Sequence, residues 1–182
     1  MPDVQLTPTS YVVLGLVAGH GSATSYEMKQ LVNISIGCFW SFPHSQLYAE
    51  PVRLAEHGLL VEEQEPGGRR RRRYRITASG QAVLDTWLAE PTSEGTEIRD
   101  LGLLKLFFGQ LSSKDDLVAL AEAKRKGHVD ELARLQALDG DIHGLASEAE
   151  RATLDLGMRW EQLAIDFWAE IAADPPTGPT PR

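Results

Sequence analysis

Leu59-Leu60-Val61-Glu62-Glu63-Gln64-Glu65-Pro66-Gly67-Gly68-Arg69-Arg70-Arg71-Arg72-Arg73-Tyr74-Arg75-Ile76 is the stretch that decides the fold. Leu59 to Glu65 has the makeup of a strand, Pro66-Gly67-Gly68 of a turn, and Arg69 to Ile76 of a returning strand, so a β-hairpin is predicted. Six arginines lie between Arg69 and Arg75. One or two charges are enough to guard an edge strand against aggregation. Six in one strand and its turn predict an anionic partner. Arginine forks match phosphate and guanine, and an arginine-tipped hairpin fits the minor groove of DNA.

Upstream, a helix is expected to begin near Ser41 to His44 and to end at Gly58, with Leu47, Pro51, Leu54 and Ala55 on its buried face. Pro51 has no N–H for the Leu47 carbonyl and is expected to kink it. His44, Ser45, Gln46, Tyr48, Ala49 and Arg53 fall off the apolar stripe. Short or hydrogen-bonding side chains in the first turns are what a recognition helix uses: Gln46 suits adenine or phosphate, Ser45 and Tyr48 suit phosphate, and Arg53 the backbone. A solvated helix face has the same composition, and the neighbouring hairpin is what favours recognition.

Further upstream, Thr7-Pro8 starts an apolar helix carrying Tyr11, Val13, Leu14, Leu16 and Val17. Thr24-Ser25-Tyr26-Glu27 has capping-box spacing and opens a second helix running to about Ile34, whose exposed first turn at Ser25 and Tyr26 offers free N–H groups. Cys38, beside Phe39 and Trp40, reads as a core residue. Downstream of the hairpin, Thr77 caps a fourth helix with Val83, Leu84, Trp87 and Leu88 inward, stopping at Pro91. The order helix-helix-helix-hairpin-helix is a winged helix-turn-helix over residues 1–91.

A polar linker, Thr92 to Thr96, leads into a second, helical domain over 97–173. Its first helix carries Ile98, Leu101, Leu104, Phe108 and Leu111; a long one follows with Leu117, Ala121, Lys124, His128, Leu132, Leu135, Leu138, Ile142 and Leu145 at three- and four-residue spacing. The last, about Ala152 to Ala173, has two apolar stripes: Leu154, Met158, Ile165, Trp168 and Ala172, then Leu156, Trp160, Leu163, Phe167 and Ile171. Two stripes need two partners, its own chain and a second subunit. Trp160, Leu163, Phe167, Trp168 and Ile171 are therefore expected at a dimer interface, or around an apolar effector cavity facing the winged domain. The proline-rich tail 174–182 is expected to be disordered. The fold class is mainly α.

The formal net charge of −8 hides an asymmetry. Residues 1–90 hold 8 Lys/Arg against 9 Asp/Glu, while residues 91–182 hold 10 against 17. Local charge is what a phosphate meets within a Debye length of about 8 Å. The single cysteine excludes an internal disulfide, and no His or Cys pattern has zinc spacing. No catalytic constellation, metal site or cofactor is expected, and no stretch is long enough for a membrane span, so a cytoplasmic, non-enzymatic protein is predicted.

Tyr11-Val12-Val13-Leu14-Gly15-Leu16, Ser25-Tyr26-Glu27, Gln46-Leu47-Tyr48, Arg53-Leu54-Ala55-Glu56-His57-Gly58-Leu59-Leu60 and Tyr74-Arg75-Ile76-Thr77-Ala78-Ser79-Gly80 together resemble the PadR family of bacterial transcriptional regulators across about residues 6–90. The long helical second half looks like the AphA-like subgroup with an extended dimerisation region. The resemblance implies a homodimeric repressor bound to a palindromic double-stranded operator and released by a small aromatic or amphipathic effector. With the residues read above, it makes Ser25, Tyr26, His44, Ser45, Gln46, Tyr48, Arg53, Arg69, Arg70, Arg71, Arg72, Arg73 and Tyr74 the expected DNA contacts. The alternative reading is an effector-sensing protein-interaction module whose arginine wing holds an acidic partner instead of DNA.

Overall fold

The computed structural model describes residues 4–33, 35–40, 43, 45–64, 71–142 and 146–176, without the side chains of Cys38 and Ile142. The hairpin turn, Arg69, Arg70, His44, Leu145 and residues 177–182 of the tail lie outside the described residues. The chain divides into two compact units, residues 1–94 and 95–182.

The first unit is built on α1 (Pro8–Gly19), β1 (Ala23–Thr24), α2 (Ser25–Asn33), a 3-10 turn (Ile36–Cys38), α3 (Gln46–Glu56), β2 (Leu60–Gln64), β3 (Arg72–Ile76) and α4 (Ala78–Ala89). Thr24 and Glu27 close the capping box of α2: the Thr24 N–H donates to Glu27 Oε2 (2.7 Å) and the Glu27 N–H to Thr24 Oγ1 (3.2 Å). Helix α3 starts at Gln46, later than its sequence suggests, and Ile36–Cys38 forms a separate turn before it. It runs across Pro51, which is buried beside Leu47 and Leu54.

Its end is a Schellman motif. Gly58 has φ +72°, its N–H donates to the Ala55 carbonyl (3.0 Å), and the Leu59 N–H reaches back to the Leu54 carbonyl (2.9 Å). That reversal feeds straight into β2. The antiparallel sheet has the order β1-β3-β2, with Glu62 opposite Tyr74, Glu63 opposite Arg73, and Ala23 opposite Tyr74 on the other side. Strand β1 was not expected from the sequence.

The core gathers Val13, Leu14, Val17, Met28, Val32, Leu47, Leu54, Leu59, Leu60, Tyr74 and Leu84. Phe39 and Trp40 are exposed, and the side chain of Cys38, expected in the core, lies outside the described residues. One expectation needs correcting. Of the four α4 residues expected inward, Leu84 is buried but Leu88 is exposed, and Trp87 lies flat on Tyr11 of α1 at the surface, with ring centroids 4.5 Å apart.

The second unit comprises α5 (Leu101–Phe107), a 3-10 turn (Gly109–Leu111), α6 (Lys114–Ile142) and α7 (Glu148–Ala173). The apolar run from Ile98 to Leu111 is thus helical only over its middle, where Asp100 caps α5 through the Gly102 and Leu103 N–H groups. Helices α6 and α7 pack antiparallel. Going down α6, Lys124, His128 and Leu135 meet Trp168, Glu161 and Gly157 of α7 in turn. Leu117, Ala121, Leu135, Leu154 and Trp168 are buried here.

Candidate nucleic-acid interface

Helix α3 carries most of the residues expected to read bases. With Leu47, Pro51 and Leu54 turned inward, Ser45, Gln46, Tyr48 and Ala49 are exposed. Beside them the first turn of α2 presents Ser25 and the exposed Tyr26. Thr24, Ser25, Tyr26, Tyr48, Val52, Arg71, Arg72 and Tyr74 line a cleft of about 780 Å³ between these helices and the root of the wing. Of the residues expected to contact DNA, Ser25, Tyr26, Tyr48, Arg71 and Arg72 are therefore brought to one concavity. His44, Arg69 and Arg70 lie outside the described residues.

Tyr74 is a correction. Strand alternation puts it on the same face as Leu60 and Ile76, and it is 1% exposed at the floor of the cleft, so it serves the core before any ligand. Burial, reinforced by the nearby Glu62 carboxylate, raises its phenol above the ordinary value.

Arg53 is half-buried and held by its neighbours. It chelates Glu50 through Nε (3.0 Å) and Nη2 (2.5 Å), donates to the Ser10 hydroxyl (3.1 Å) and reaches the Gln5 carbonyl (3.2 Å). Fully buried Ser10 in turn donates to Glu50 (2.6 Å) and accepts from the Thr7 N–H (2.8 Å). This network clamps α1 to α3, and Thr9 adds a bond to the Gln46 side-chain carbonyl (2.7 Å). That bond takes one of the two acceptor positions of the Gln46 carbonyl and orients its amide N–H₂.

Burial raises the Glu50 carboxyl, but the bonds from Arg53 and Ser10 outweigh it, and the net position is below the ordinary glutamate value. A carboxyl depressed in the folded state contributes stability that is present above its unfolded pKa and lost as pH falls through the folded one. Glu27 is depressed in the same sense, chiefly by the Thr24 N–H. Urea unfolding midpoints should therefore be flat at neutral pH and fall progressively below the ordinary glutamate range. Glu50→Gln should cost about 1.5–3 kcal/mol at pH 7 and flatten that acid limb. A variant with the wild-type acid dependence would remove Glu50 from this account.

Each described wing arginine from Arg72 to Arg75 has an acidic neighbour within the unit. Arg72 meets Glu62 (3.4 Å), Arg73 meets Glu27 (3.0 Å), and Arg75 pairs with Glu63. The sequence showed the arginines; these counter-charges come from strand register and from the α2 cap.

In the second unit the two stripes of α7 separate as expected. Leu154 and Trp168 are buried and Met158 and Ile165 half-buried against α6, whereas Leu156, Trp160, Leu163 and Phe167 are exposed and Ile171 half-buried. Trp168 thus belongs to the unit's own core, under the Lys124 ammonium 6.0 Å from its ring centroid. Among the described residues no His, Cys, Asp or Glu grouping could hold a metal, and no helix is long and apolar enough to cross a membrane.

Residues 13–86 match the transcriptional regulator PadR-like family, and residues 98–174 match the virulence activator alpha C-terminal family. The negative transcriptional regulator PadR of Bacillus subtilis is 27% identical over 136 residues, 74% of this chain and 70% of that protein. Its structure with operator DNA superposes with a TM-score of 0.82 at 23% identity, over 92% of this chain and 98% of that one. The same protein with p-coumaric acid gives 0.76 at 22%, over 93% and 97%. The virulence activator AphA of Vibrio cholerae gives 0.69 at 24%, over 91% and 96%. The first unit thus carries a domain of the PadR-like transcriptional regulator family, and the second a C-terminal domain of the virulence-activator type.

Proposed function

We propose that the chain is a homodimeric repressor that binds a palindromic operator through α3 and its arginine wing, and that a small aromatic effector releases it. The observation that carries the reading is the shared cleft: the exposed first turns of α2 and α3 converge with Arg71 and Arg72 on one surface. Tyr48, Ser45 and the Gln46 amide face bases or phosphates, Ser25 and Tyr26 hold a phosphate at the α2 N-terminus, and the wing supplies charge. Two such units on a twofold axis would meet half-sites about 34 Å apart. The exposed stripe Leu156, Trp160, Leu163 and Phe167 supports the dimer. The effector reading rests on the relative solved with p-coumaric acid.

A gel shift against the chain's own upstream region tests it. Arg71→Ala/Arg72→Ala should weaken binding to all sequences and lower the salt slope by about 0.9 per lost phosphate contact. An unchanged slope would remove the wing from the interface. Absence of any shift at low salt, with a nuclease-resistant protein complex instead, would turn the reading toward an acidic protein partner.

A further inference from the structure

We propose that Glu62 and Glu63 act as internal stand-ins for phosphate, occupying the wing arginines in the free protein and so suppressing sequence-independent DNA binding. This rests on the DNA-binding reading above. Strands β2 and β3 place these two carboxylates on opposite faces of the hairpin, Glu62 with Arg72 and Tyr74, Glu63 with Arg73 and Arg75. Glu62 meets Arg72 at 3.4 Å and accepts a long bond from the Tyr74 hydroxyl, also 3.4 Å. Glu63 is ion-paired with Arg75.

The arginine ends of both pairs are solvent-exposed: the Arg72 and Arg75 side chains are 56% and 55% accessible, against 26% for Glu62 and 48% for Glu63. Exposed pairs are weak, so they do little for the stability of the hairpin. They do set what its arginines present to an approaching polyanion. A phosphate must displace a carboxylate from each paired arginine, and the displaced carboxylate then stays beside the phosphate within a Debye length. Non-specific affinity is almost purely this electrostatic contribution, whereas operator binding adds base contacts that the carboxylates do not touch. The pairs therefore weigh most, in proportion, on unwanted complexes.

The test compares wild type, Glu62→Gln/Glu63→Gln and the charge-matched control Asp85→Asn/Glu90→Gln, whose sites are exposed on or next to α4, on a random-sequence duplex. The wing variant should bind about tenfold more tightly at 0.1 M salt, with the gap narrowing toward 0.5 M, while the control changes little. Equal tightening in the control would mean that net charge acts, not the pairs, and no tightening in the wing variant would equally overturn the proposal. If wild type and wing variant both fail to bind any duplex, including the upstream region at low salt, the DNA reading falls and takes this inference with it. Unchanged thermal melts would confirm that the hairpin persists in each protein.

Discussion

Gly80→Ala is expected to destabilise the winged unit by about 3 kcal/mol. A Cβ at this position would stand 2.1 Å from the Leu59 carbonyl oxygen and 3.0 Å from Ile76 Cγ1. The first contact is with backbone, which has nowhere to go: the same carbonyl accepts the Thr77 N–H (3.1 Å), and the Thr77 hydroxyl donates to the neighbouring Gly58 carbonyl (2.8 Å). Alanine is the better helix former by roughly 0.5–1 kcal/mol, so propensity alone predicts stabilisation. The clash is larger, and it wins. For a unit of this size a loss of about 3 kcal/mol corresponds to a melting transition lowered by roughly 12–24 °C. Gly15→Ala is the internal control: nothing lies within 4 Å of its Cβ, and it should be neutral or slightly stabilising. Differential scanning calorimetry of both variants checks the pair, and a Gly80→Ala protein melting with wild type would show that α4 can move off β2 at little cost.

In the dimer proposed above, Trp160→Glu/Leu163→Glu should leave only monomers. Both side chains lie on the exposed stripe of α7, 46% and 63% accessible within one chain, while the α6–α7 core of Leu135, Leu154 and Trp168 faces the other way. Burial of a large apolar side chain contributes about 1.5–3 kcal/mol, and a twofold interface loses each contribution twice. Allowing for residual contact, a loss of at least about 4 kcal/mol, roughly a thousandfold in dissociation constant, is expected. Sedimentation equilibrium with circular dichroism distinguishes dissociation from unfolding. Operator affinity should collapse with the dimer, since each monomer reaches a single half-site. A wild-type chain that sediments as a monomer would refute the interface.

Much of the winged unit could be read from local chemistry. Thr24 with Glu27, Gly58 at the end of α3, and Thr77 ahead of α4 are caps whose partners lie within a few residues, so spacing alone reveals them. The two stripes of α7 were legible for the same reason. What could not be read depends on partners far apart in the chain. Strand β1 is two residues long and exists only because Tyr74 and Arg73 pair with it. The bonds that hold Arg53 could not be read either, because Ser10, 43 residues earlier, is invisible to any local window. The arginine run likewise hid its own counter-ions on β2. Tyr74 is different: its alternation with Ile76 was present in the sequence, and the density of charge around it obscured the pattern.

Helix α3, the root of the wing and α4 meet at the Gly58–Leu59 peptide. The helix exit, the return of β3 and the cap of α4 all bond to these two adjacent carbonyls or turn upon them, so reader and wing form one lever. Bending the wing alone would break that whole set of bonds together. A shift of the wing root relative to α3 is therefore expected only with loss of the Thr77 bonds.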